Sequence, residues 1–327
     1  MRRIPLVSLV ALALVAAACA GSSDDGSDDG AVATSTAVAV AEASCATAKP
    51  AAPGGTMRAF ATAAGERNYH LHVPAGYDGT KRLPLVFSLH GFVLTAEFMT
   101  GYTKFDALAD REGFIVVTPN GAGVPQRWNT RADPAGPDDV AFLGDLLTSL
   151  EEELCIDPAR VYAAGLSNGG GMAMRLACAL PDRIAAIAPV AATYIDCDGD
   201  APMIAIHGST DPVVPFGGRE GPPERGGSLP PVADAVAAWA EAAGCAAKAE
   251  AESLSSEVQR EQYTGCSAGD GAVVLYTVIG GGHVWPGAYP VDIDAKPGEP
   301  SRIGYTTQQL DATAVIWEFF KAHPWSD

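Results

Sequence analysis

The chain has 327 residues, with 39 Asp and Glu against 21 Lys and Arg, and a formal net charge of −18. So acidic a balance argues against nucleic acid and other polyanions as partners. The length beyond the N-terminal region suffices for one large domain with a real core, and no later stretch is long and apolar enough to span a bilayer.

Arg2 and Arg3 precede an apolar run, Ile4 to Val15, and then Ala16-Ala17-Ala18-Cys19. This reads as a signal peptide over residues 1–18 of the lipoprotein type, with Cys19 as the lipidated new N-terminus. Ordinary cleavage with free secretion is the alternative. Either way the expected location is extracytoplasmic, with membrane contact only through an N-terminal lipid anchor. Residues 19–55 are rich in Gly, Ser, Asp, Ala, Thr and Pro, with Asp24, Asp25, Asp28 and Asp29 clustered. Such a segment buries too little apolar surface to offset its chain entropy and reads as a disordered tether. Residues 56–327 then form the folded domain.

Runs at 57–63 and 69–73 read as early strands. In the second, Tyr69, Leu71 and Val73 alternate with His70 and His72, which places the histidines on a solvated face. Leu83 to Leu89 is continuously apolar, suited to a strand buried on both faces, and leads into His90-Gly91-Phe92. A helix is expected over 96–110, a strand over 114–117, and a long polar loop over 119–137 that carries Trp128 and Asn129. Asp138 and Asp139 open a helix to about 155, with acids where the helix dipole favours them. A strand at 160–164 runs into Gly165-Leu166-Ser167-Asn168-Gly169, and a helix follows over 170–178. Further strands are expected at 184–190, 203–206 and 273–279, and helices at 232–243 and 306–322. The Gly- and Pro-rich stretch 217–231 reads as a surface excursion. Strands alternating with helices imply an α/β fold whose mostly parallel central sheet carries helices on both faces.

Besides Cys19 there are six cysteines, an even number that suggests three disulfides in an exported protein. Chain position favours Cys155–Cys178 across the serine turn and Cys245–Cys266 across one excursion, which leaves Cys45–Cys197. No cysteine or histidine spacing suits a metal site, and no cofactor is expected.

The chemistry centres on Ser167. G-x-S-x-G between a strand and a helix is what a nucleophile elbow requires: small residues where the turn crowds itself, and a helix start that offers N–H groups to an oxyanion. A serine needs a base, and the base an orienting acid. Along an α/β-hydrolase chain their order is Ser, acid, His. Of the later histidines, His323 sits near a helix end, and His207 is too close to Asp211 to be a base from a separate loop. His283 follows Gly280-Gly281-Gly282 directly after a strand and is the candidate base. Asp211, just past strand 203–206, is the candidate acid; Asp196, Asp198 and Asp200 precede that strand, at the wrong end. The oxyanion hole then falls to the backbone N–H groups of Asn168 and Phe92.

Six segments in order carry a family resemblance: Leu89-His90-Gly91; Trp128-Asn129 with Asp138-Asp139-Val140; Asp157 to Tyr162; Gly165 to Gly170; His207 to Pro215; and Gly280 to Gly287. The chain resembles the polyhydroxybutyrate depolymerase and feruloyl esterase group, carbohydrate esterase family one, in its bacterial lipoprotein branch, over about residues 57–322. The resemblance implies the α/β-hydrolase fold and a Ser167–His283–Asp211 triad. It also implies a cleft lined by Trp128 and Trp285 beside His90, and an ester substrate. That ester would be hydroxycinnamoyl or acetyl on polysaccharide fragments, or a short hydroxyalkanoate polyester. Two positions depart from the family pattern: Phe92 stands where cysteine is common, and Ala141 where glycine is usual. A non-catalytic binding protein on the same scaffold would show a broken triad, and here all three positions are filled. A serine peptidase would use the same triad on amides.

Overall fold

The computed structural model describes residues 45–325, except 63–64, 194–196, 198, 222–226, 249–250, 270 and 290–301. The expected signal peptide, Cys19 and most of the tether lie outside the described residues. No helix among the described residues is long and apolar enough to cross a membrane.

Eleven strands among the described residues form one sheet. In chain order they are β1 (Gly54–Thr62), β2 (Gly65–Val73), β3 (Leu83–Leu89), β4 (Ile115–Pro119), β5 (Ile156–Leu166), β6 (Ala186–Val190), β7 (Met203–Gly208), β8 (Ala247–Lys248), β9 (Glu252–Ser253), β10 (Val258–Thr264) and β11 (Val273–Val278). Their spatial order is β1-β2-β4-β3-β5-β6-β7-β11-β10-β8, with β9 paired to β10. The central run from β4 through β3, β5, β6 and β7 to β11 is parallel, and antiparallel hairpins extend both ends. The α/β-hydrolase fold expected from the sequence is therefore present.

Among the described residues six helices cover the sheet: α1 (Ala96–Thr103), α2 (Phe105–Glu112), α3 (Asp139–Glu153), α4 (Asn168–Ala179), α5 (Val232–Ala242) and α6 (Ala312–Ala322). Strand side chains alternate between two cores, as the pleat demands. Leu85, Phe87 and Leu89 of β3 join a core with α3, α4 and α5 residues such as Leu146, Met172 and Trp239. Val86 faces the other way, into a core with Tyr102, Phe105, Ile316 and Phe320 from α1, α2 and α6. Both faces are buried, hence the continuous apolar runs in the sequence.

Several expectations are corrected. The single helix over 96–110 is two, because Lys104 adopts a left-handed conformation (φ 59°) that ends α1 and starts α2. The helix expected from 306 begins at Ala312, capped by the Asp311 side chain on the Ala314 N–H. Strands β8 to β10 go beyond the sequence expectation: they are short or mostly polar, and they owe their place to pairing of β10 on β11 and of β8 and β9 on β10. His70 and His72 are not on a solvated face. They turn toward Asp106 and Asp110 of α2, with His72 Nε2 3.0 Å from Asp110 Oδ1.

The disulfides are Cys45–Cys155, Cys178–Cys197 and Cys245–Cys266. The last matches expectation; Cys155–Cys178 and Cys45–Cys197 are corrected. A strand advances about 3.3 Å per residue and a helix about 1.5 Å, so α4 retraces only about half the height that β5 climbs. Cys178 therefore stops well short of Cys155. Cys45 instead reaches Cys155 because its N–H donates to the Thr80 carbonyl, beside the Leu83–Cys155 backbone bond.

Candidate active site

Strands β5, β7 and β11 are parallel, and their carboxyl ends deliver Ser167, Asp211 and His283 to one edge of the sheet. Catalytic groups of open parallel sheets gather at that edge.

Ser167 sits at φ 54°, ψ −116°, between β5 and α4. An L-residue held there stores strain, which persists only when the surroundings fix it. Its N–H donates to the Val190 carbonyl at 2.7 Å, and its carbonyl accepts from Gly171 at 2.9 Å. A Cβ on Gly165 would lie 2.3 Å from the Gly169 carbonyl carbon, and one on Gly169 2.1 Å from the Leu89 oxygen. These clashes with backbone explain the glycine at each position.

The acid and base loops are stitched together. Ser209 and Thr210 donate backbone N–H groups to Val278 and Gly281, and the Gly280 N–H donates to the Ser209 hydroxyl at 2.8 Å. A Cβ on Gly208 would lie 2.3 Å from the Gly281 oxygen, so the two turns meet backbone to backbone. His283 Nδ1 is 2.7 Å from Asp211 Oδ2. Asp211 Oδ1 accepts the Val213 and Val214 N–H groups, each at 2.8 Å. Burial alone would raise the Asp211 carboxyl. The hydrogen bonds from His207, His283 and Val214 and the charge of His283 outweigh it and hold the group far below the ordinary carboxylate range. From the far side, the Gly282 N–H donates to the Tyr305 carbonyl at 2.9 Å and the His283 N–H to that of Ile303, which fixes the base loop under residues 302–307.

The loop after β3 leans on the elbow: a Cβ on Gly91 would sit 3.4 Å from the Leu166 oxygen and 3.6 Å from Ser167 Cβ. Phe92 follows at the surface, with 49% of its area exposed. His90 holds this loop from inside. Its Nε2 accepts the Gly121 N–H at 2.8 Å, which leaves Nδ1 as the donor to the Gly91 carbonyl at 2.7 Å. Burial, reinforced by nearby Arg67, pushes its pKa down to about 4 against the opposing Gly91 bond. Both ring nitrogens are engaged in the protein, so His90 scaffolds the loop and is not available to substrate.

The two tryptophans are also inside the molecule rather than on a cleft wall. Trp128 is 2% exposed and Trp285 1%. Trp128 Nε1 donates to the His90 carbonyl at 2.9 Å, and Trp285 Nε1 to Thr313 Oγ1 at 2.9 Å. An indole ring needs a partner for its N–H, and here both partners, His90 and Thr313, are themselves buried. Asn168 uses its side chain to clamp the Trp128 backbone, accepting its N–H at 2.7 Å and donating to its carbonyl at 3.1 Å. Sequence reasoning missed a second brace. Asp139 accepts from Arg67 at 2.8 Å and from the Asn129 N–H at 2.7 Å, while Arg67 lies 4.2 Å from the centre of the Phe142 ring. The paired acids Asp138 and Asp139 were its signal: the first caps α3 through the Ala141 N–H, and the second points inward. Among the described residues no cluster is arranged to hold a metal ion.

Residues 67–214, which contain Ser167 and Asp211, match the family described as esterase PHB depolymerase. The chain is also 31% identical over 289 residues to "Putative esterase NocK" of Nocardia uniformis subsp. tsuyamanensis, covering 81% of this chain and 82% of that protein. The chain belongs to this esterase family. Feruloyl esterase C of Emericella nidulans is 36% identical over 163 residues, which cover 46% of this chain and 57% of that protein. Among solved structures, an acetyl xylan esterase from Aspergillus awamori superposes with a TM-score of 0.54 at 15% identity. It covers 70% of this chain and 94% of its own, a likeness of fold.

Proposed function

We propose that this esterase works through an acyl-enzyme on Ser167. In this reading His283 takes the Ser167 proton as the hydroxyl attacks an ester carbonyl, then returns it to the leaving alcohol. Asp211 holds the imidazole with its Nδ1 proton inward, so that Nε2 faces the serine as acceptor. The backbone N–H groups of Phe92 and Asn168 receive the oxyanion; losing one such donor costs on the order of a hundredfold in rate. Water then attacks the acyl-enzyme, with His283 again as base. The observation that carries the reading is the His283–Asp211 bond of 2.7 Å, with a strained serine delivered to the same sheet edge. The test is Ser167→Ala. It abolishes hydrolysis of p-nitrophenyl acetate while the melting transition stays intact; full residual turnover contradicts the reading.

The substrate is proposed to be a carboxylic ester, hydroxycinnamoyl or acetyl on polysaccharide fragments or a short hydroxyalkanoate polyester. Feruloyl and acetyl xylan esterases among the relatives support the first group, and the family description supports the second. Release of ferulate from methyl ferulate, measured against 3-hydroxybutyrate from its oligomers, separates them. Three disulfides support an oxidising, extracytoplasmic location. Lipid attachment at Cys19 is the accompanying proposal, and metabolic labelling with a fatty-acid probe tests it.

A further inference from the structure

Asp211 has a second histidine at its back. His207, near the end of β7, is buried, and its Nε2 lies 2.9 Å from the Val214 carbonyl and 3.4 Å from Asp211 Oδ2. Both neighbours are acceptors, so Nε2 carries the proton. Nδ1 is buried with no hydrogen-bond partner among the described residues. A proton there would stand unpaired in the interior, so the geometry specifies the neutral Nε2–H tautomer. The ring is also pinned edge-on to Phe216, with centroids 6.1 Å apart. Its N–H is therefore aimed at the turn that carries the acid, and at the same carboxylate oxygen that His283 uses.

We propose that His207 is a positioning residue of the triad. It acts in two ways, and both rest on the esterase reading above. By donating to Val214 it closes the turn 211–214, whose N–H groups in turn fix Asp211 Oδ1. By presenting its N–H to Oδ2 it shares the carboxylate charge with His283 and limits how strongly Asp211 favours the protonated base. The titratable groups on Asp211 are then His207, from β7, and His283, from the loop after β11; Val213 and Val214 contribute backbone donors. A core histidine that merely satisfied itself on Val214 would have no influence on the base.

Two variants separate these roles. His207→Phe keeps a flat ring and removes the N–H, whereas His207→Gln keeps a donor. With p-nitrophenyl acetate, His207→Phe lowers kcat by about tenfold or more, the scale of a lost hydrogen bond to a charged group, with little change in KM. Relieved of a competing donor, Asp211 favours the imidazolium more, so the acid limb of kcat/KM moves to higher pH, by about half a unit or more. His207→Gln returns the limb toward its original position. If kcat and melting temperature fall while the limb stays in place, the proposal is overturned. Should His207→Phe fail to fold, nitrogen NMR of the unmodified protein at about pH 8 tests the Nε2–H tautomer that both roles require, since a histidine is neutral there. A protonated Nε2 and a bare Nδ1 on His207 support the assignment, and a proton on Nδ1 overturns it. This readout needs no turnover. An absence of ester hydrolysis in the unmodified protein would count against the esterase reading and leave the tautomer result standing.

Discussion

Asp211→Asn changes one atom, and its consequence follows from the donors around it. The amide oxygen replaces Oδ1 and keeps the Val213 and Val214 N–H groups, each at 2.8 Å. The amide NH2 must then occupy the position of Oδ2, where it meets His283 Nδ1 at 2.7 Å and His207 Nε2 at 3.4 Å. Donor faces donor at both contacts. His283 escapes by moving its proton to Nε2, which turns the face toward Ser167 from acceptor to donor and removes the base. The expected loss in kcat is about 10⁴-fold, the known scale for this exchange in a serine triad. At 1.36 kcal/mol per tenfold that is about 5 kcal/mol of transition-state stabilisation. The assay is kcat for p-nitrophenyl acetate, with a thermal melt to confirm folding. A folded variant within about tenfold of the parent would refute the orienting role of Asp211. The same substitution has a signature in stability. Asp211 is held below its unfolded value, so its contribution is present above about pH 4 and is lost as pH falls toward the folded value. The asparagine variant lacks that component of acid sensitivity.

Other outcomes follow from the same geometry. Gly169→Ala drives a methyl to 2.1 Å from the Leu89 oxygen and 2.6 Å from that of His90, so it displaces the loop that carries Phe92. It is expected to destabilise by about 1–3 kcal/mol or more and to depress kcat beyond the effect on folding, as denaturant melts and initial rates would show. His90 is neutral in the fold, with a pKa lowered to about 4, and takes up a proton on unfolding. Stability therefore falls as pH drops from about 6.5 to about 4, by up to about 3 kcal/mol. His90→Gln flattens that slope in a pH series of urea melts; an unchanged slope contradicts the assignment. Peptide mapping without reduction yields Cys45–Cys155, Cys178–Cys197 and Cys245–Cys266. Loss of the Cys45–Cys155 link, which closes 110 residues, costs about 4–5 kcal/mol in the chain-entropy account. A Cys155–Cys178 peptide would contradict the structure.

The strand–turn–helix around Ser167 and the strand-end loops that carry Asp211 and His283 were legible because strand and turn patterns are written locally in the sequence. Gly165 is demanded by a backbone contact inside its own turn, Gly169 and Gly208 by the Leu89 and Gly281 backbones, and Ser167, Asp211 and His283 share one edge because their strands are parallel. What failed depends on distance in three dimensions. Pairing Cys155 with Cys178 needed the relative heights of a strand and a helix. The burial of His70 and His72 needed α2, whose start depends on one left-handed residue, Lys104. Trp128 and Trp285 looked like cleft residues because they flank catalytic motifs, yet their indole N–H groups are anchored inside, on the His90 carbonyl and on Thr313. The role of Asp139 was half visible: the acidic pair marked a helix start, but nothing local revealed that the second acid would hold Arg67 and Asn129.

Rapid mixing with p-nitrophenyl acetate tests the proposed acyl-enzyme on Ser167 directly. A burst of nitrophenol equal to the enzyme present is expected, with the acetyl group found by mass spectrometry on the peptide that contains Ser167. Ser167→Ala gives neither burst nor adduct. An acetyl group on another residue, or an undiminished burst from Ser167→Ala, would contradict it.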